Sequence, residues 1–547
     1  MLLEVIRYLV LWFLVFKLFY KKDMKKILIG IAFLALSITF NACDKLDLAP
    51  EDYYASESFW KTSSQVDGAM VGLHNQLRSY QFTLFTLGEL RGGTLRDGTS
   101  FTGTASLNSG SIVRQDIRES SPGITGWAGL YAPIFQVNNF IYQVEKAQYL
   151  TAADKSYYLG QAYGLRAFYY FQLYRTYGRL PVTKEPKVAI TTPTTAQDAY
   201  LPRTKTEKET LDFIKEDVTK SIASFSGDYT SKMQKGQWSL GASQMLQAEV
   251  YLWSAKVKID GASPTSTAAD LAIARTAVEA VIPKYSLQSS FANIFNSAAT
   301  ASIKGNSEII FALRFGFGEA TSSYGQFIYA ITDPLAGYVD DKGAAIPSND
   351  PLKVNGGGTI IRYEYKYDLY QKYEAADTRA NVTFLNFNKG TVHATNLRKF
   401  IGTIVDGART FSDDFPVYRL SEAYLMLAEI KNKQGQDPSA EINIIRTRAY
   451  AGGGGTAPVY ANGSFEQNEL AIFAERQKEF VAEGKIWYDL RRMQDASGTP
   501  LVFRIDLPLV GVLQNIDGIN HKIIWPIDVP TLNSDPTLEQ NPLYKGT

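Results

Sequence analysis

A second cysteine is missing from this chain. With Cys43 alone, no disulfide within the chain can form and a cysteine-based metal cluster is excluded. Histidine is nearly as scarce: only His74, His393 and His521 occur, and no two share a local spacing that metal binding uses. An excess of charge of one sign is also missing. The 56 basic and 55 acidic side chains nearly cancel, which argues against a nucleic-acid surface or a polybasic membrane footprint. No HExxH, GxSxG, GxGxxG or P-loop pattern appears. Gly452–Gly455 is a run of glycines without the Lys-Ser/Thr pair of a phosphate cradle, and it reads as a flexible terminator after a helix. No metal, cofactor or enzymatic activity is therefore expected.

What the chain does contain is helical periodicity and aromatic side chains. Its 547 residues, 45% hydrophobic and 20% charged, suit globular structure: roughly two to four average domains or one large repeat-built body. The 33 tyrosines and 30 phenylalanines serve interhelical packing first, and stacking platforms for a neutral ligand second. In Pro416–Ala451, Leu420, Tyr424, Leu427 and Ile430 fall on one helix face, with Glu422 and Glu429 off it. Gly435 suits the turn that follows. Asp437 reads as an N-cap with Pro438 at the first position of a second helix, lined by Ile442, Ile445 and Ala449. Such a hairpin cannot bury its stripe alone and needs neighbours.

Those neighbours are legible upstream. Val66, Met70, Leu73 and Leu77 share a face in the first helix, within Phe59–Ser79. Leu130–Lys146 and Lys155–Tyr177 make a pair, with Thr151 and Asp154 placed for a capping box. Thr206 and Glu209 cap a helix carrying Leu211, Ile214, Val218 and Phe225, and its partner carries Leu246, Val250, Trp253 and Val257. Ala268–Ile282 follows. The fold class expected is mostly α: tetratricopeptide-like hairpins forming a scaffold, with an irregular, loop-rich lobe containing short strands at about 285–415. In that lobe Glu308–Arg314 reads as a strand, and Tyr324, Phe327, Tyr338, Tyr363, Tyr365 and Tyr367 look exposed. Between Phe82 and Gly126 the periodicity disappears, and a long irregular connection of that kind is usually functional or mobile. Glu475, Glu479 and Glu483 recur at i, i+4, i+8 among cations, which predicts a solvated or ion-paired helix face rather than catalytic acids.

The N-terminus has its own logic. Met24-Lys-Lys26 is a basic n-region, Ile27–Phe40 an apolar h-region, and Phe40-Asn-Ala-Cys43 closes it with a small residue before the cysteine. That order resembles a lipoprotein signal peptide (24–42), although Phe40 stands where leucine or a smaller aliphatic residue is preferred. Cys43 would then carry the lipid at the head of a polar tether (43–57). Leu2–Tyr20 is apolar but interrupted by Glu4, Arg7 and Lys17, so 1–23 reads as an over-extension of the reading frame preceding the start at Met24. No other stretch is apolar enough to span a bilayer, so the mature protein is expected to be anchored rather than spanning.

Several motifs in order carry a resemblance. Tyr418–Glu429 followed by Ile445-Arg-Thr-Arg-Ala449, then Glu475–Arg491, then Trp525–Asp528 and Leu538–Pro542, resemble the signatures of the SusD/RagB family. Phe59–Leu77 resembles its first helix, and Asp528 stands where a proline is usual. The resemblance covers roughly 58–547. It implies a nutrient-binding lipoprotein of the Gram-negative outer membrane, with an oligosaccharide as ligand and a SusC-like TonB-dependent transporter as partner. It also implies that the charges of Glu475–Arg491 belong to the scaffold, and that the ligand lies on loops of the N-terminal region and middle lobe. The matching candidates are Arg96, Asp97 and Phe101, with Tyr324 and Tyr338 across a shallow groove. A peptide ligand, a glycoside hydrolase and a purely adhesive repeat protein are the alternatives.

Overall fold

Helix α1 (Ser63–Ser79) starts where the sequence offers a cap: the Thr62 hydroxyl accepts from Gln65 N–H at 3.3 Å, and the Gln65 side chain accepts from Thr62 N–H at 3.1 Å. Its predicted face (Val66, Met70, Leu73, Leu77) is buried. The computed structural model describes residues 59–100, 103–105, 110–186, 195, 200–295, 304–322, 337–345, 363–406, 408–514 and 521–546. The over-extension, the signal peptide, Cys43 and the tether lie outside them, as do Phe101, Tyr324 and Phe327.

Beyond α1 come α2 (Gln81–Glu89), α3 (Trp127–Lys146), α4 (Ala152–Tyr177), α5 (Glu207–Phe225), α6 (Leu240–Lys256) and α7 (Thr267–Val281). Sequential neighbours pack from α3 to α7, the stacked-hairpin arrangement expected. Thr206 caps α5 by accepting from Glu209 N–H at 3.1 Å. At α4, Thr151 accepts from Asp154 N–H at 3.1 Å, but the Asp154 carboxylate takes the Thr151 hydroxyl at 2.7 Å instead of the Thr151 N–H. The cap is present without the reciprocal half of the box. From Gly160 to Tyr177, α4 is buried on every face because helices flank it on both sides. A Cβ at Gly164 would lie 2.0 Å from the Trp238 Nε1, so only glycine admits that indole.

The scaffold then skips a lobe. Helix α7 packs directly on α8 (Leu420–Lys433), which pairs with α9 (Ser439–Tyr450) and α10 (Phe465–Glu479). Helix α9 begins one residue later than expected, so Pro438 and not Asp437 takes the cap position; Asp437, one residue outside, still accepts from Ser439 N–H at 2.8 Å. The acidic series does not share one helix. Helix α10 ends at Glu479, a turn with Ala482 at φ 62° and Gly484 at φ 70° follows, and α11 (Ile486–Arg492) starts anew. Asp528 proves a good N-cap for α12 (Val529–Ser534), accepting from Thr531 N–H at 3.1 Å.

The charges of these segments are not solvated. Glu475, Glu479 and Glu483 are all buried. Arg419 reaches Glu479 at 2.5 Å, Glu483 at 2.9 Å and Glu308 at 3.2 Å, while Arg448 holds Glu308 at 2.8 Å and also pairs with Glu479. Glu422 and Glu429, off the apolar stripe, are equally buried: Lys485 meets Glu422 at 3.0 Å, and Lys256 and Arg492 meet Glu429 at 2.7 and 2.9 Å. Burial alone would raise the Glu479 carboxyl; Arg448, Arg419 and Arg379 outweigh it and hold it below the usual range. Such a lattice adds little net stability over apolar packing, but losing one member strands its partners.

The lobe carries more sheet than expected. Strands β1 (Leu95–Ser100), β2 (Gly103–Ala105), β4 (Val339–Asp340), β5 (Tyr363–Tyr365), β6 (Phe384–Lys389) and β7 (Val392–Leu397) form one six-stranded sheet in the order β2-β1-β5-β7-β6-β4. The predicted strand is β3 (Ile309–Leu313), which pairs with β10 (Phe415–Arg419) and ties the lobe to the start of α8. A two-stranded ribbon, β8 (Thr403–Val405) with β9 (Ala408–Thr410), completes it. Nor is the start of the stretch after Phe82 irregular. Glu89, at the end of α2, is buried, and its carboxylate accepts from Ala482 N–H at 3.0 Å, Gly484 N–H at 3.2 Å and the Tyr365 hydroxyl at 3.1 Å. Tyr365 and Tyr338, read as exposed, are buried.

Candidate functional site

Strands β6 and β7 make a hairpin whose register pairs Asn386 with Thr395 and Asn388 with His393. Two residues, Gly390 (φ 61°) and Thr391, close it, and left-handed backbone at the first of them suits glycine. Alternation therefore places Asn386, Asn388, His393 and Thr395 on one face. The inner pair is buried, and His393 and Asn388 are half-buried at the open end.

There the Tyr367 ring stacks on the His393 imidazole, with centroids 3.5 Å apart and planes 4° from parallel. Tyr370 lies 5.9 Å beyond Tyr367, tilted by 23°. The His393 Nδ1 meets Asn388 Oδ1 at 2.5 Å, so that nitrogen carries the proton. Asp341, exposed, gathers the donors: Asn386 Nδ2 at 2.7 Å, Asn388 Nδ2 at 3.3 Å and the Tyr370 hydroxyl at 2.6 Å. Burial, reinforced by the Asp341 charge, keeps Tyr370 protonated far above neutral pH.

The predicted residues attach to this sheet at both ends. Arg96 on β1 donates to the wholly buried Glu364 at 2.7 Å and to the His393 carbonyl, which links β1 to the stack. Asp97 follows it in register with Tyr363. Tyr338 precedes β4 at the opposite edge, buried with the Lys389 ammonium 5.9 Å from its ring centroid. Four strand steps of about 4.8 Å separate β1 from β4, roughly 19 Å. The sheet thus brings Arg96, Asp97 and Tyr338 onto one body. Tyr367, His393 and Asp341 were missed as site residues. The alternation around Lys389-Gly390 was the available signal for the first hairpin, but no local pattern foretells that β1 joins it.

What the cluster offers is a half-exposed aromatic pair beside amide and carboxylate groups, which suits polyhydroxylated rings. By contrast, a cavity of about 450 Å³ beside β3, lined by Phe295, Phe317 and Phe400, has its charges already spent. Asp414 holds Arg314 at 3.0 Å and Lys304 at 3.4 Å there. Among the described residues no group of His, Cys, Asp and Glu could hold a metal ion, and no helix is long and apolar enough to cross a membrane.

Comparison with known proteins agrees with this architecture. A family model described as the SusD family matches residues 362–544, and another, described as starch-binding associating with outer membrane, matches 46–252. The crystal structure of a SusD superfamily protein from Bacteroides fragilis is 36% identical with a TM-score of 0.78, covering 89% of this chain and 100% of that one. SusD-like protein P38 of Formosa agariphila is 25% identical over 555 residues, 96% of this chain and 100% of that protein. Surface glycan-binding protein A from Bacteroides thetaiotaomicron, in complex with laminarihexaose, shares the fold at 17% identity and a TM-score of 0.63, over 88% of this chain and 99% of that one. A relative this similar over its whole length, together with the matching family models, means that the chain belongs to the SusD family.

Proposed function

We propose that this protein is a non-catalytic, lipid-anchored binding protein of the outer membrane that captures an oligosaccharide and delivers it to a SusC-like TonB-dependent transporter. The observation that carries the reading is the Tyr367–His393 stack beside Asp341, Asn386 and Asn388, an aromatic face ringed by hydrogen-bonding groups. The glycan-bound relative and the starch-binding family description support the ligand class. Asp97, on the same face by register, extends the platform along β1, while Arg96, on the other face, braces β1 through Glu364 and the His393 carbonyl. Tyr338 backs the β4 edge, and Phe101 and Tyr324 are assigned as further stacking residues. Residues 24–42 are the signal peptide, Cys43 the lipidated N-terminus, 43–57 the tether and 58–547 the binding body.

Titration calorimetry with laminari-oligosaccharides and other neutral glycan oligomers tests this. Losing one aromatic contact is worth about 1–3 kcal/mol by analogy with base stacking. Tyr367→Ala and Asp341→Ala should each weaken binding by about tenfold or more, with no product formed. Unchanged affinity in both would move the site elsewhere, and hydrolysis products would overturn the non-catalytic reading.

A further inference from the structure

Where α4 and α6 face the C-terminal segment, a cavity of about 840 Å³ opens, walled by Tyr174, Trp253, Phe503 and Ile523 with Glu207 and Arg491 among them. It is separate from the sheet-end cluster. Arg491 is 5% exposed, yet its Nη1 makes its single hydrogen bond, to the Arg175 carbonyl, and its Nε is buried without a partner. The next residue shows what a satisfied arginine looks like here: Arg492 holds Glu429 at 2.9 Å and Asp489 at 2.8 Å. Nearby Arg175 has its own partner, Glu249, at 2.5 Å.

Arg491 instead lies against aromatic rings, 5.0 Å from the Trp253 centroid and 5.8 Å from that of Trp487. Glu207, on another part of the wall, accepts from Asp260 N–H at 3.0 Å and makes no ion pair with Arg491. Lys258 and Lys433 also line the cavity, so positive charge exceeds negative around it. A desolvated guanidinium without a carboxylate is costly, and its planar fork matches two carboxylate oxygens.

We propose that this cavity binds a small organic monocarboxylate, its oxygens on the Arg491 guanidinium and its apolar body against Trp253 and Tyr174. Glu207 disfavours a second negative charge on the ligand. The test is calorimetric titration of the full mature chain with benzoate, benzamide and inorganic phosphate. Benzoate should bind saturably, with benzamide and phosphate at least about tenfold weaker. Arg491→Gln should lose benzoate binding by about the same factor. Because removing a buried arginine can unfold a protein, Ser263→Trp, at an exposed lining position outside the core, is the second variant: an indole there should crowd the cavity and weaken binding. The proposal is overturned by absence of saturable benzoate binding, by benzamide binding equally well, or by unchanged binding in Ser263→Trp.

Discussion

His74 lies inside the scaffold with both ring nitrogens engaged: Nδ1 donates to the Met70 carbonyl at 2.9 Å, and Nε2 accepts from Trp238 N–H at 2.9 Å. A proton on Nε2 would face that N–H, and burial pushes the imidazole pKa from 6.5 down to about 4, against the pull of the Met70 bond. Glu89 runs the other way: burial pushes its carboxyl from 4.5 up to about 7, against its backbone donors, Tyr365 and Lys399. The signs follow from linkage. His74, depressed in the fold, supplies stability that is lost as pH falls from 6.5 towards 4; Glu89, raised, supplies stability that is lost as pH rises from 4.5 through 7. At about 1.4 kcal/mol per pH unit, each is worth about 3 kcal/mol across its window, with opposite slopes. Urea unfolding of wild type, His74→Gln and Glu89→Gln at fixed ionic strength separates them. The wild-type advantage over His74→Gln should shrink by about 2 kcal/mol as pH drops from 6.5 to 4.5, while that over Glu89→Gln should grow by a similar amount. Groups common to both proteins cancel in each difference. A pH-independent difference for His74→Gln would mean that the imidazole protonates in the fold without penalty, and the argument from its two hydrogen bonds would fail.

Leu427, 7% exposed in α8, should cost about 2–5 kcal/mol on truncation to Ala; an unchanged melting temperature would place that face outside the core. Glu479→Gln leaves Arg419, Arg448 and Arg379 short of a counter-charge and should cost about 3–5 kcal/mol in urea unfolding. A loss within about 0.5 kcal/mol, typical of surface changes, would show the lattice to be slack. Cys43→Ala should release the protein from the outer-membrane fraction, and retention there without lipid label would refute the anchor.

The helices were legible because their information is local. Apolar residues at helical spacing, together with Thr62, Thr151 and Thr206 at their caps, mark each segment without reference to any other. The family signature was legible for the same reason. Burial of charge was not: the acidic series reads as an ion-paired face whether or not water reaches it. Only the return of Arg419, Arg448 and Arg379 from distant segments decided that it lies in the core. The end of α10 was hidden too, since Ala482 and Gly484 take left-handed backbone to present N–H groups to Glu89, nearly four hundred residues away in sequence. The candidate site is the extreme case. Arg96 could be named from its loop, but its partnership with Glu364 and the Tyr367–His393 stack exists only because β1 pairs with β5, and β5 with β7. Strand pairing between remote segments is fixed by packing of the whole lobe, and no window of sequence contains it.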